Sequence, residues 1–233
     1  MNIGTKHKVL RIKSLKIYTP NLAEQVAFYS EVLGLPLLES SLEKASFQIG
    51  ESLLQLNFRE QTSPYHFAIN IPSNKAGEAL KWLKSRVSVL KDEKTEIHDF
   101  DSWKAQAIYF YDLDKNIVEF IARNNLRLNS SEKFGTVSLL SISEIGIPVN
   151  DIEKAFNQIH QSAGLEIYDG SFERFCAIGD ENGLFICINK NLKTWFPTGD
   201  LAYSSDLELT YKSKDQLFTM AFENGEIKVK TFR

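Results

Sequence analysis

Asn21-Leu-Ala-Glu-Gln-Val-Ala-Phe-Tyr-Ser-Glu-Val-Leu-Gly-Leu35 decides the fold, because its design returns in Asp151-Ile-Glu-Lys-Ala-Phe-Asn-Gln-Ile-His-Gln-Ser-Ala-Gly-Leu165. Each stretch opens on a helix-capping residue, carries apolar residues at helical spacing and closes on glycine followed by leucine. Leu22, Val26, Tyr29 and Leu33 form the apolar face of the first. A strand-like run precedes each helix, Leu10 to Tyr18 and Leu140 to Pro148, and enters it through a proline-containing turn. A further copy lies between them, with strand Tyr65-His-Phe-Ala-Ile-Asn-Ile71, then Pro72, Ser73 as cap, and a helix running to about Lys84. Seven residues separate Ser14 from Asn21, His66 from Ser73 and Glu144 from Asp151, so these first-strand positions are expected to be equivalent.

After each helix the sequence is β-rich with hairpin signals and reads as three more strands, giving a repeated βαβββ unit. In the first unit these are Leu37 to Ser41, Lys44 to Ile49 and Leu53 to Phe58; in the second, Glu96 to Phe100, Ala105 to Tyr111 and Ile117 to Ala122. The third gives Glu166 to Tyr168, Arg174 to Ile178 and Leu184 to Ile188. The tail, Asp206 to Phe232, has strand pattern and the turn Glu223-Asn-Gly-Glu226 but no amphipathic helix, and reads as an eroded fourth copy. The expected fold is α+β, with repeated βαβββ units making cup-shaped mixed sheets. The expected organisation is residues 1–124 as one domain of two units, 125–138 as a polar linker, and 139–233 as a second, degenerate domain.

Composition narrows the partners. The chain has 233 residues, 43% of them hydrophobic and 24% charged, which is ordinary for a folded globular chain and excludes disorder and coiled coil. The formal charge of −3 comes with scattered basic residues, so nucleic acid is not expected as a partner. No apolar run approaches the ~18 residues a membrane helix needs, and the N-terminal residues, with His7 among them, show no signal-peptide core. A cytoplasmic monomer or homodimer is expected. Cys176 and Cys187 lie on opposite sides of the turn around Glu181 and are expected to face each other across a hairpin as buried thiols.

Phe28-Tyr-Ser-Glu-Val-Leu-Gly-Leu35 and Tyr109-Phe-Tyr-Asp-Leu-Asp-Lys-Asn-Ile-Val-Glu-Phe120 carry a family resemblance. The first is similar to the FYxxxLGL helix, and the second to the DPDGNxxEL turn and strand, of the vicinal oxygen chelate superfamily. That group includes glyoxalase I, bleomycin-resistance proteins and extradiol dioxygenases. Together with the third unit, the resemblance covers about Val9 to Asn189, with Lys115 standing at the family's glycine and Leu113 at its proline.

The resemblance implies metal ligands from the first and last strands of each unit. Carried onto this chain, those positions in the first domain are Ser14, Gln55, His66 and Glu119. His66, Glu119 and Gln55 are the implied metal ligands, suited to Zn, Ni, Mn, Fe or Co, while Ser14 is a poor donor. Glu119 is also the candidate catalytic carboxylate, acting as general base where no metal is bound. The third unit offers Glu144 and Cys187, with Glu144 expected to line the substrate space rather than to bind metal. Phe47, Trp103 and Tyr109 are the candidate walls of an apolar cup, and His98 and His160 match no ligand position and are expected to be solvated. The implied function is a metal-dependent lyase, isomerase or dioxygenase on a small molecule with adjacent oxygens; the alternative is a metal-free module that sequesters an aromatic or amphiphilic ligand. No P-loop, dinucleotide fingerprint or nucleophile triad is present.

Overall fold

The computed structural model describes residues 9–232, so His7 lies outside the described residues. The first unit comprises β1 (Arg11–Thr19), α1 (Leu22–Ala27, continued by a π-turn through Phe28–Val32), β2 (Leu37–Ser40), β3 (Lys44–Ile49) and β4 (Ser52–Phe58). The second comprises β5 (His66–Ile71), α2 (Ala76–Lys84), β6 (Val89–Leu90), β7 (His98–Phe100), β8 (Ala105–Tyr111) and β9 (Ile117–Arg123). The third comprises β10 (Ser141–Val149), α3 (Ile152–Ala163), β11 (Ile167–Gly170), β12 (Phe175–Asp180) and β13 (Gly183–Asn189). The tail forms β14 (Leu207–Ser213), β15 (Gln216–Glu223) and β16 (Glu226–Thr231).

Each of the three complete units folds by the same rule. The strand before the helix and the last strand of the unit lie parallel, as a crossover helix allows. Register is shared too: Lys16 faces Gln55, Ala68 faces Glu119, and Gly146 faces Ile186. The expected equivalence of Ser14, His66 and Glu144 therefore extends to Gln55, Glu119 and Ile186. Gly34 and Gly164 end their helices in the left-handed region, at φ 68° and 64°. Only Asp151 caps as expected, accepting from the Lys154 amide; the Asn21 side chain donates instead to Asp114, and the Ser73 hydroxyl to the Arg123 carbonyl.

Two mixed sheets result, one ordered β16-β15-β14-β1-β4-β3-β2 and the other β11-β12-β13-β10-β5-β9-β8-β6, with β7 also on β8. The partnership of the units differs from the expected one. The first unit pairs with the tail through β1 and β14, and the second with the third through β5 and β10. The stretch 125–138 thus joins β9 to β10 within one sheet, the two strands that flank β5. In the tail, only Lys214 and Asp215 link β14 to β15, both at positive φ, so the connection closes an antiparallel hairpin where a helix would have returned a parallel strand.

The two resembling stretches hold each other. The Tyr29 hydroxyl of the α1 segment donates to Asp112 at 2.8 Å, and Asp112 also accepts from the Asn116 amide and side chain in the β8–β9 turn. Lys115 takes φ 64° there, the conformation for which glycine is favoured. One core lies between the sheets: Leu15, Ile17, Leu54 and Leu56 of the first share it with Phe67, Ile69, Val118 and Phe120 of the second. Strand alternation turns the opposite residues outward, so His66 and Ala68 leave the core face while Phe67 and Ile69 enter it. A bulge between Ile142 and Glu144 in β10 lets Ile142 and Ile145 both stay in the core while Glu144 faces away.

Candidate functional site

The outward face of the second sheet brings together three donors. His66 comes from β5, Glu119 from β9 and Glu144 from β10, all buried, and one ligand atom from each lies within 4.8 Å of the others. They line a cavity of about 280 Å³ walled by Phe100, Trp103, Tyr109, Phe175 and the loop residues Trp195 and Phe196. The apolar shell with a few converging polar groups is the form small-molecule sites take.

Each polar group has a defined partner. His66 Nδ1 lies 3.1 Å from the Ile117 carbonyl, so this nitrogen carries the proton and Nε2 presents its lone pair to the cavity. Burial lowers the imidazole to about 4, which keeps it neutral near pH 7. Nε2 faces a Glu119 oxygen at 3.6 Å, a separation at which lone pair and carboxylate need a shared proton or cation. Burial and the neighbouring Glu144 hold the Glu119 carboxyl well above the usual range, opposed by Arg123 and by the Tyr109 hydroxyl bonded to it. Burial likewise raises Glu144, opposed by its ion pair with Arg123, whose side chain is 0% exposed. When both carboxyls are ionised, the single guanidinium leaves a deficit of one positive charge. A neutral imidazole and two carboxylates on the walls of a cavity fit a divalent cation by donor type, with coordination positions left for a substrate.

The other implied residues lie elsewhere. Ser14 and Gln55 belong to the first sheet, where they line a separate cavity of about 410 Å³ with Glu208. Glu208 faces Lys16 across β14 and β1 as Glu144 faces Ala68 across β10 and β5, so the two cups correspond residue by residue. In the first sheet's cup, however, Lys16 Nζ reaches Glu208 at 2.8 Å, and an internal ammonium supplies the positive charge. Gln55 is thus removed from the His66 group by the unit pairing described above. Phe47 is not a cavity wall either; it is fully buried in the core against Tyr29, at a ring separation of 5.5 Å. Trp103 and Tyr109 do line the cavity.

Register also moves the fourth position of the third unit from Cys187 to Ile186. A one-residue step reverses the face. Ile186 lines the cavity, while Cys187 packs in the core directly opposite Cys176, both as free thiols. His98 is buried, not solvated, and packs on Tyr109 and Phe196 at 5.5 and 4.8 Å. His160 is half exposed, bonds the Leu165 carbonyl and stacks on Phe156.

Sequence reading missed Arg123, Trp195 and Phe196. For Arg123 a signal exists: Glu119, Ile121 and Arg123 alternate on one face of a strand otherwise apolar, so a cation beside a carboxylate was readable. Trp195 and Phe196 come from a loop whose path no local pattern specifies.

The comparison with protein families decides the relationship. The model of the Glyoxalase/Bleomycin resistance protein/Dioxygenase superfamily matches residues 11–169. The chain belongs to this superfamily. Among curated members, the metallothiol transferase FosB of Staphylococcus haemolyticus (strain JCSC1435) is 32% identical over 108 residues, covering 42% of this chain and 73% of that protein. Among solved structures, a putative dioxygenase from Bacillus subtilis subsp. subtilis str. 168 superposes with a TM-score of 0.64 at 13% identity, covering 97% of this chain and 86% of that one. Glyoxalase I from Zea mays gives 0.58 at 12% identity, covering 97% and 93%. These likenesses show that the superfamily's fold runs through nearly the whole chain. No helix among the described residues is long and apolar enough to cross a membrane.

Proposed function

We propose that the cup of the second and third units holds one divalent cation on His66, Glu119 and Glu144, and that the protein is a lyase, isomerase or dioxygenase acting there on a small molecule with adjacent oxygens. The observation that carries this reading is the convergence of three buried donors within 4.8 Å on one cavity. A bound cation would polarise the substrate oxygens and stabilise negative charge as it develops. The protein's own groups do the rest. The Ile117 carbonyl keeps the His66 proton on Nδ1, Tyr109 orients Glu119, and Arg123 holds Glu144. The aromatic walls exclude water around the donors, and Glu119 or Glu144 is placed to take a proton from a substrate carbon or hydroxyl.

A second reading rests on Ile186 and Arg123. With an apolar residue at the fourth position and a guanidinium already on Glu144, the cup could instead sequester an aromatic ligand without metal. The pH dependence of metal binding separates the two. Because the Glu119 carboxyl is raised, the acid form dominates at low pH, and a cation must displace its proton. Affinity for Co²⁺ is therefore expected to strengthen as pH rises from about 5 towards 8, by about tenfold per unit where one proton is released. Calorimetric titration in two buffers of different ionisation enthalpy measures the release directly. Absence of Co²⁺ binding across this range would favour the binding module.

A further inference from the structure

The long connection from β13 to β14, residues 190–206, lies against the cup and is tied down along its length. The Lys190 amide bonds the Val149 carbonyl at 3.0 Å, the Ser204 hydroxyl donates to the Pro148 carbonyl at 2.7 Å, and Tyr111 donates to Asp200. Between these anchors the Trp195 amide and carbonyl bond Asp200 and Gly199, each at 2.8 Å, which fixes where the indole points. Its ring lies 4.8 Å from the His66 ring, and Trp195 is only 7% exposed.

Gly146 explains how the indole gets there. It stands on β10 two residues beyond Glu144, on the same face, where any side chain would project into the cup. A Cβ at Gly146 would meet the Trp195 ring at 2.7 Å and the His66 carbonyl at 3.2 Å. Glycine inside a strand marks such a close approach, and here the missing side chain is the seat of the indole. His66 thus has its Nδ1 held by a carbonyl and its ring held by Trp195.

We infer that Trp195, seated on Gly146, is the positioning residue that fixes the His66 imidazole ring for ligand binding in the cup. This rests on the proposed metal reading, and it makes Gly146 and Trp195 one functional pair separated in sequence. Neither touches the reacting atoms; they act through His66. Removing the ring contact leaves the His66 ring held by its Nδ1 hydrogen bond and the more distant Tyr109 ring at 6.3 Å, and loss of such outer support weakens metal binding by about tenfold or more.

The test uses the full chain with Trp195→Ala, Gly146→Ala, the double variant and Trp195→Phe. Two readouts are needed: the Kd for Co²⁺, and the NMR shift of the His66 ring protons, which the indole ring current displaces whether or not metal is present. Expected are a loss of about tenfold in Co²⁺ affinity for either alanine variant, a double variant no weaker than Trp195→Ala, and recovery of most of the affinity in Trp195→Phe. The His66 resonances should move in the same direction in both single variants. Affinity unchanged in Trp195→Ala, or single losses that multiply in the double variant, would overturn the inference. An unaltered chain that binds no Co²⁺ would refute the metal reading, and the ring-current shifts would still decide whether Gly146 seats the indole.

Discussion

Replacing His66 by alanine is expected to take the metal content of the chain, loaded with Zn²⁺, Ni²⁺, Mn²⁺ or Fe²⁺ and freed of excess, from close to one ion per chain to nearly none. The imidazole is the one nitrogen donor of the set and is neutral near pH 7, so it binds a cation without first losing a proton. Two carboxylates alone, one already paired with Arg123, make a weaker and less selective site. Gln55→Ala, in the other cup, should leave the content unchanged. Elemental analysis of the purified variants measures both. Retention of one ion in the His66→Ala chain would remove the site assignment.

Arg123→Met is expected to destabilise the fold by about 3–5 kcal/mol at neutral pH, the range for a buried ion pair that loses one partner. Arg123 is wholly enclosed and Glu144 nearly so, and the thioether of methionine cannot compensate a carboxylate. The sign of the pH dependence follows from Glu144. Its folded-state pKa is already raised by burial, and losing Arg123 raises it further, so the folded state binds more protons than the unfolded one above the ordinary carboxylate range. The deficit should therefore grow as pH rises and shrink as pH falls. Urea unfolding at pH 5 and pH 8 measures it. Adding Glu144→Leu should recover much of the loss, because it removes the stranded charge. A deficit under about 1 kcal/mol at pH 8 would mean that the pair is not enclosed as described.

The repeat was legible because helix design and spacing are local properties. Asn21 to Leu35 and Asp151 to Leu165 each carry their period and stop signal within a few residues, and constant spacing then aligned Ser14, His66 and Glu144. The partnership of units was not legible. Whether β5 lies beside β10 or beside a strand of the first unit depends on sheet edges that form only in the folded chain, and one such choice moved Gln55 out of the His66 site and Glu144 into it. Cys187 was misplaced for a smaller reason: at period two, a boundary uncertain by one residue exchanges the core face for the cup face. Trp195 was hidden in an irregular loop, although Gly146, an isolated glycine within a strand, marked the place where something had to come close.

Anomalous diffraction from crystals of the full chain grown with Co²⁺ tests the site most directly. Expected is a single strong peak within coordination distance of His66 Nε2 and of carboxylate oxygens of Glu119 and Glu144. A peak beside Gln55 and Glu208 in the other cup, or none at saturating Co²⁺, would contradict it.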